Sequence, residues 1–420
     1  KPLHKLAHKP MLGHAVDAYK AAGAKEIVIV IAPDDAMTPA LFPDCTMVVQ
    51  QEQKGTGHAA LAGLDGLKQK TDKIIVGLGD QPFISAETIQ KVVAQPDTVT
   101  VVAMRPADPA RYGRLVTDST GALLRIVEYK DASEEERTIN LCNAYPIFLD
   151  SSHARNLLQA IKDDNAAKEF YFTDVVTIAN HDGHRCGFFE VSELEAAAAN
   201  TREELAALED ILQQRLRRKH MDNGATLIDP GSVYFAHDTI VGRDVIIEPN
   251  VFFGPGVTVA DNVHIKAFSH IEGATIGQGA KIGPFARLRP DTVLQPETHI
   301  GNFVEIKKST IGKGSKINHL SYIGDSDVGE KTNIGAGSIT CNYDGFGKYK
   351  TTIGNNVFIG SNTALVAPVT VADNAITAAG SVITHDVECD ALAIARAEQK
   401  NKEGWAKIFR DKKKKEKESK

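Results

Sequence analysis

Ile282-Gly-Pro-Phe-Ala-Arg-Leu288-Arg-Pro-Asp-Thr-Val-Leu294-Gln-Pro-Glu-Thr-His-Ile300-Gly-Asn-Phe-Val-Glu-Ile306 is the stretch that decides the fold. An apolar residue returns every sixth position. Extended in both directions, the register runs Val241, Ile247, Phe253, Val259, Ile265, Ile271, Ile276, Ile282, and so on to Thr340. It then resumes at Ile353, Ile359, Leu365, Val371, Thr377 and Ile383. Of these 24 positions 22 are apolar, where a 42% hydrophobic composition gives about ten. Glycine follows directly in 11 of them. A hexapeptide period is the mark of a parallel β-helix. Each unit forms one flat side, and three sides make a coil with the first residue of each unit pointing inward. Glycine and short polar residues turn the corners. Such a narrow Ile/Val/Leu core explains why 420 residues hold 34 Gly but only 16 Phe, 9 Tyr and 1 Trp.

Upstream, the period changes. Glu26–Ala32, Lys73–Leu78 and Thr98–Met104 are apolar runs of the kind buried in a parallel sheet. They alternate with helical spacing over His14–Gly23, Thr56–Leu67 and Ser85–Ala94. This rhythm predicts an α/β doubly wound, Rossmann-like domain. Between the two halves, Glu193–His220 contains no Gly or Pro. It predicts one long helix, or two meeting near Asn200, where Asn200-Thr201 followed by Glu203-Glu204 marks a helix start. The expected organisation is an α/β domain over 1–192, a helical arm over 193–222, a β-helix over 223–396 and a tail over 397–420. The lysine-rich end of the tail predicts a solvated, disordered terminus rather than a binding arm.

A net charge of −6 gives no field for nucleic acid, and no apolar run reaches the roughly 18 residues of a bilayer span. The five Cys show no CxxC pairing and predict reduced thiols in a cytoplasmic protein.

The β-helix register also places side chains. Sides starting at Leu288 and Ile306 lie one coil apart, so Arg289 stacks on Lys307 at about 4.8 Å. Two such cations repel unless an anion lies between them. The sides at Ile300 and Ile317 align Glu305 with Tyr322 at the adjoining corner. Arg289, Lys307, Glu305 and Tyr322 therefore converge on a patch suited to an anionic sugar or a phosphate, although a solvated charged face has the same pattern. His319 sits around that corner. It suits proton removal near neutral pH, although a lone His on a β-helix face is more often an ordinary surface or core histidine. His264 and His270 end successive sides and project from different corners, which argues against a metal held within one chain. The insertion over Thr340–Thr352 breaks the period, as a binding loop or a tolerated surface loop would.

Ile282–Pro290, Gly301–Lys308, Asn333–Gly337 (NIGAG) and Thr340–Gly345 (TCNYDG) together resemble the bacterial bifunctional N-acetylglucosamine-1-phosphate uridyltransferase/glucosamine-1-phosphate acetyltransferase family. In the first half, Gln51–Ala59 (QEQKGTGHA), Gly79–Ser85, Tyr112–Arg114, Ile126–Ala132 and Glu169–Asp174 resemble its uridyltransferase domain in the same order. The resemblance implies acetylation of glucosamine-1-phosphate by acetyl-CoA. It further implies UMP transfer from UTP, giving UDP-N-acetylglucosamine for cell-wall and lipopolysaccharide synthesis. A left-handed β-helix and a homotrimer with acetyltransferase sites between subunits are also implied. So are the residue roles. Arg289 and Lys307 would hold the sugar phosphate, His319 would be the general base, and Glu305 would orient the amine. Tyr322 and Asn333 would contact the sugar. Ala336, Asn342, Tyr343, Ser361, Ala379 and Arg396 would contact acetyl-CoA. In the first domain Gln50, Gly55 and Thr56 would lie on the uracil side, and Gly113, Glu128 and Asn143 on the sugar side. Lys1 would reach the phosphates, and Asp80 with Asn200 would hold Mg²⁺.

Two departures stand out. The family's glycine-rich loop, LAAGxGTxM, belongs before Lys1, and nothing in the sequence replaces its backbone donors. Either the chain is a trimmed version of a longer protein or its uridyltransferase half is dead; the intact remaining motifs favour trimming, with uridyl transfer expected to be weak or absent until that strand is restored. Leu78 and Ala196–Ala199 also depart from the family pattern. Other functions for the same two modules are a non-catalytic assembly or regulatory protein, and a nucleotidyltransferase whose β-helix only oligomerises.

Overall fold

All 24 register positions are 3% exposed or less, so the six-residue period is the core of the β-helix itself. The computed structural model describes residues 1–109 and 112–419. The chain divides into two units, 1–212 and 213–420.

In the second unit, short strands stack into three parallel sheets of ten, eight and eight strands among the described residues. Each side pairs only with the side one coil away, as Leu288 does with Ile306 and Ile306 with Ile323. Fully burying one such side chain stabilises the fold by roughly 1.5–3 kcal/mol. Corner residues adopt positive φ, whether small, as at Gly337 and Asn362, or bulky, as at Phe285 and Phe303. Buried hydroxyls of Ser309, Ser315, Ser321 and Ser326 close onto carbonyls at the corners, so these inward polar groups are satisfied.

The first unit is α/β, with a more mixed sheet than the sequence rhythm predicts. The long strand Cys142–Asp150 runs antiparallel to both Lys73–Val76 and Val99–Met104. Cys186–Val191 runs parallel to Val99–Met104. Val28–Ile31 forms a separate parallel pair with Thr46–Val49, and only Ile29 of that strand is buried. Its apolar run is thus half-covered rather than sandwiched. Helices form at Met11–Ala21, Thr56–Asp65 and Ala86–Val93, the last capped by the Ser85 side chain, which accepts from the Thr88 N–H.

The arm is one helix, Arg202–Asp222. Its start is a capping box: the Glu204 N–H donates to Thr201 Oγ1 at 3.1 Å, and the Thr201 N–H donates to Glu204 Oε2 at 3.1 Å. Residues before it form an irregular segment, so the alternative of two helices meeting near Asn200 is not adopted. The C-terminal segment departs from expectation. It is solvated, with no buried residue, but Trp405–Glu418 is helical instead of disordered. No described helix is long and apolar enough to cross a membrane.

At the end of the arm, His220 is buried against Phe235 with ring centroids 4.5 Å apart, and burial pushes its imidazole down to about 4. The unfolded chain then binds the extra proton between pH ~6.5 and ~4, so stability falls as pH drops through that window. Thermal unfolding of His220→Gln is expected to lose this component of the acid sensitivity; an unchanged pH profile would contradict it.

Candidate active sites

In the first unit, the Lys1 ammonium donates to Asp80 Oδ2 at 2.5 Å and to Asn200 Oδ1 at 2.7 Å. Two oxygens distant in sequence thus converge on a single cation. Asp80 follows the Lys73–Val76 strand, at the edge where α/β sheets bind ligands. Its other oxygen, Oδ1, is buried without a hydrogen-bond partner. A carboxylate with a spare buried oxygen facing an amide oxygen is a donor set that fits Mg²⁺, which takes few protein ligands and completes its shell with water and phosphates. Lys1 and Asn200 also line a cavity of about 250 Å³ with His4, Met11 and Arg202.

Asn200 is held from both sides. Glu204 accepts from the Asn200 N–H, and Ala199 packs with Leu6, Met11, Phe83 and Leu208. Gln81, next to Asp80, donates to Ala144 O at 3.1 Å and to Ala196 O at 3.2 Å. In the Ala196–Ala199 stretch that departs from the family pattern, Ala196 and Ala199 are buried and Ala197 and Ala198 half-buried, which leaves little room for larger side chains. The sequence reading missed Gln81; its place beside Asp80 is the only signal the sequence offers.

Gly55 has φ 113°, and a Cβ there would lie 2.8 Å from Phe170 O. Only glycine fits. Gln50 Nε2 donates to Gly55 O at 3.2 Å, and Thr56 Oγ1 accepts from Phe172 N–H at 3.0 Å. The same segment reaches the other group, since Thr173 Oγ1 donates to Glu128 Oε1 at 3.0 Å. Glu169–Asp174 thus ties Gly55 and Thr56 to Glu128. Asn143 donates its N–H to Gly113 O at 2.8 Å, and its own Oδ1 is buried without a partner. Gly113 in turn lies against the Glu128 carboxylate. Gly113, Glu128 and Asn143 therefore form one cluster. Burial raises the Glu128 carboxyl above its usual range. Asp174 is pushed up to about 6 by burial first, then by Glu128 and Asp131.

The β-helix site follows the register. Glu305 pairs with Tyr322 and with Arg287, placing Arg289 one position past Leu288 beside Lys307. The anion beside Arg289 comes from the chain itself: Arg289 Nη1 donates to Glu305 Oε1 at 2.9 Å, which raises the guanidinium's pKa. Lys307 instead meets Lys348 from the insertion, and this contact, then burial, lowers its pKa. Like charges this close repel unless an anion lies between them, and the Asp325 carboxylate offsets part of that repulsion at Lys307. The sequence reading missed Lys348, because the insertion carries no register to place it. The inserted Asn342 donates to Asp325 Oδ2 at 2.5 Å and lies 3.5 Å from Tyr322 OH. Tyr322 OH lies over Gly324, where a Cβ would be 2.4 Å away. Tyr343 is exposed.

His319 Nδ1 lies 2.8 Å from Asn302 Oδ1, one coil below in register. An amide oxygen only accepts, so with this assignment Nδ1 carries the proton and Nε2 keeps its lone pair. Asn302 is third in its six-residue side, as His319 is, so the register could have found it.

The same corner continues upward. Pairing of Ile317 with Ile334, Ile334 with Ile359 and Ile359 with Thr377 puts His319, Ala336, Ser361 and Ala379 in one column. Gly337 N–H donates to His319 O, Asn362 N–H to Ala336 O and Gly380 N–H to Ser361 O. Arg396 Nη1 closes the column on Ala379 O at 3.1 Å. The three coils span about 14 Å at strand spacing. Asn333 does not join the cluster. It stacks on Lys316, just before the inward Ile317 and Ile334, three positions (about 10 Å) from the His319–Ala336 column.

His264 and His270 lie in different sheets, and His264 Nε2 pairs with Glu248 at 2.8 Å. No group of three or more His, Cys, Asp or Glu among the described residues is placed to hold a metal.

An α/β domain whose Asp80 and Asn200 oxygens meet the Lys1 ammonium, followed by a hexapeptide β-helix carrying His319 near several charged side chains, has the make-up of a two-module transferase. A profile of the MobA-like NTP transferase domain matches residues 1–220. Bacterial transferase hexapeptide repeats match 238–273 and 350–385, and the GMPPB C-terminal domain matches 270–347. The bifunctional protein GlmU of Zymomonas mobilis is 47% identical over 99% of this chain and 94% of its own length. That of Maricaulis maris is 51% identical over 97% and 92%, and that of Ruegeria sp. 47% over 98% and 93%. The chain belongs to the bifunctional GlmU family, enzymes of UDP-N-acetylglucosamine synthesis that carry acetyltransferase and uridyltransferase activities. Nothing favours the non-catalytic or purely oligomerising readings.

Asn302→Ala removes the group that fixes the His319 ring. Acetyl transfer is expected to fall about 10-fold with acetyl-CoA affinity unchanged. Turnover equal to that of the unsubstituted chain would show that His319 needs no such support.

Proposed function

We propose that the His319 corner acetylates glucosamine-1-phosphate and that the Asp80 edge transfers UMP to the product. The single observation that carries the acetyl reading is the column from His319 through Ala336, Ser361 and Ala379, beside the Lys307–Lys348 ammonium pair. The sugar phosphate lies against Arg289 and Lys307, with Tyr322 and Glu305 beside the sugar. His319 Nε2 takes a proton from the attacking amine, which cannot act as a nucleophile while it is an ammonium. Acetyl-CoA lies along the column, bordered by Asn342, Tyr343 and Arg396. A backbone N–H near Ser361 suits the oxyanion. Asn333, remote within one chain, is supplied by a second copy, which is the reason to propose a homotrimer with sites between subunits.

In the first unit, Gln50, Gly55 and Thr56 receive the uracil side, and Gly113, Glu128 and Asn143 the acetylated sugar. Lys1 reaches the phosphates. Mg²⁺ held by Asp80 and Asn200 would neutralise charge on the triphosphate during in-line displacement. A cation held by these two oxygens would take the place of the Lys1 ammonium, which could then reach a phosphate. The proposed division keeps 1–192 as the uridyltransferase domain, 193–222 as the arm, 223–396 as the acetyltransferase domain and 397–420 as the tail, in a cytoplasmic protein.

Two variants separate the halves. His319→Ala is expected to lower thiol release from acetyl-CoA with glucosamine-1-phosphate, in an assay without added metal, by about 10²-fold or more. Unchanged release would remove His319 from the mechanism. Asp80→Asn is expected to leave that release intact while weakening Mn²⁺ binding followed by electron paramagnetic resonance. Equal Mn²⁺ affinity in both chains would refute the metal assignment.

A further inference from the structure

Arg114 is 1% exposed, one of the largest fully buried side chains in the molecule. Its guanidinium is held mainly by neutral groups. Nη1 donates to Pro109 O at 2.9 Å and to Tyr112 O, and Nη2 donates to Arg137 O at 3.4 Å. Its Cζ lies 5.8 Å from the centre of the Tyr129 ring, which Arg137 also faces at 4.8 Å. The Cys142 thiol is a further hydrogen-bond partner. In register, Arg114 pairs with Val127 and with Cys142.

The identity of these neighbours matters. Gly113 precedes Arg114 in the chain. Tyr129 follows Glu128, and Cys142 precedes Asn143. Three of the residues that Arg114 touches, Tyr112, Tyr129 and Cys142, therefore stand directly beside Gly113, Glu128 and Asn143 in the chain, while Pro109 and Arg137 add two further carbonyls. A buried cation is costly to desolvate, and several well-placed acceptors are needed to hold it. The planar fork of arginine serves several carbonyls at once and stacks on a ring, which lysine does not reproduce.

We propose that Arg114 is a positioning residue for the sugar-recognition pocket: it pins three separate segments so that Gly113, Glu128 and Asn143 meet the N-acetylated sugar of the nucleotide sugar in one fixed arrangement. Arg114 does not touch the ligand itself. The inference rests on the proposed sugar-side reading of those three residues, and it adds the group that holds them together. None of the Arg114 partners named above belongs to the uracil side (Gln50, Gly55 and Thr56), so its effect is expected chiefly on ligands that carry the sugar.

Calorimetric binding to the full chain tests this with two ligands, UDP-N-acetylglucosamine, which carries the sugar, and UTP, which does not. Arg114→Lys is expected to weaken UDP-N-acetylglucosamine binding about 10-fold or more, as a misplaced set of contacts does. UTP affinity is expected to stay within about 3-fold, the scale of a small stability-type change. Equal losses for both ligands would mean that Arg114 only supports the fold, and no loss for either would overturn the inference. Tyr129→Leu removes the ring that Arg114 and Arg137 both face, leaves the carbonyl bonds of Arg114 in place, and covers the case in which Arg114→Lys unfolds. It should shift the same ligand in the same direction by a smaller factor, and unchanged binding would again overturn the proposal. Glu128→Gln and Asn143→Ala test the underlying reading separately. If neither affects the sugar-bearing ligand selectively, the sugar reading fails. If both do and Arg114→Lys does not, the positioning role fails.

Discussion

The inward stack of Ile, Val and Leu side chains at one position in each six-residue side fixes everything else in the second unit. Once Ile300, Ile317, Ile334, Ile359 and Thr377 stack inward, the residue two positions later in each side must stack on the adjoining corner. Asn302, His319, Ala336, Ser361 and Ala379 are those residues. The His319 corner is thus a by-product of the core register. A one-residue slip in any coil would turn an outward functional side chain inward, so the buried column protects the site as well as the fold.

The first unit has no such ruler. Its site is assembled from loops that meet only in three dimensions, and individual polar contacts do the positioning. Gln81 clamps the segment before Asn200, the Thr201–Glu204 capping box fixes that residue's backbone, and Glu169–Asp174 links Thr56 to Glu128. Each of these contacts joins residues far apart in sequence, apart from the capping box. Buried acids are the electrostatic consequence: with Glu128 and Asp131 close by and little water, Asp174 holds its proton to about 6.

What the sequence reveals follows the same divide. The period places Arg289 beside Lys307 and Glu305 beside Tyr322, and it shows that His264 and His270 face different ways, because stacking in a solenoid is arithmetic. It does not reveal that Glu305 itself supplies Arg289's anion, since side-chain direction is not part of the register. Nor does it place Lys348, which enters from the insertion. In the first unit, apolar runs show where strands are but not their direction: Cys142–Asp150 runs antiparallel to two neighbours where an alternating pattern suggests parallel pairing. The lysine-rich terminus reads as disordered from charge alone, yet Trp405–Glu418 is made of good helix formers and becomes an exposed helix.

The central claim is that the register, through the His319 corner, lays acetyl-CoA along the β-helix beside the sugar phosphate. A crystal structure with glucosamine-1-phosphate and coenzyme A bound tests it most directly. The account expects the phosphate against Arg289, Lys307 and Lys348, with the coenzyme following Ala336, Ser361 and Ala379 away from His319. A phosphate bound elsewhere, or a coenzyme crossing a different corner of the prism, would contradict it.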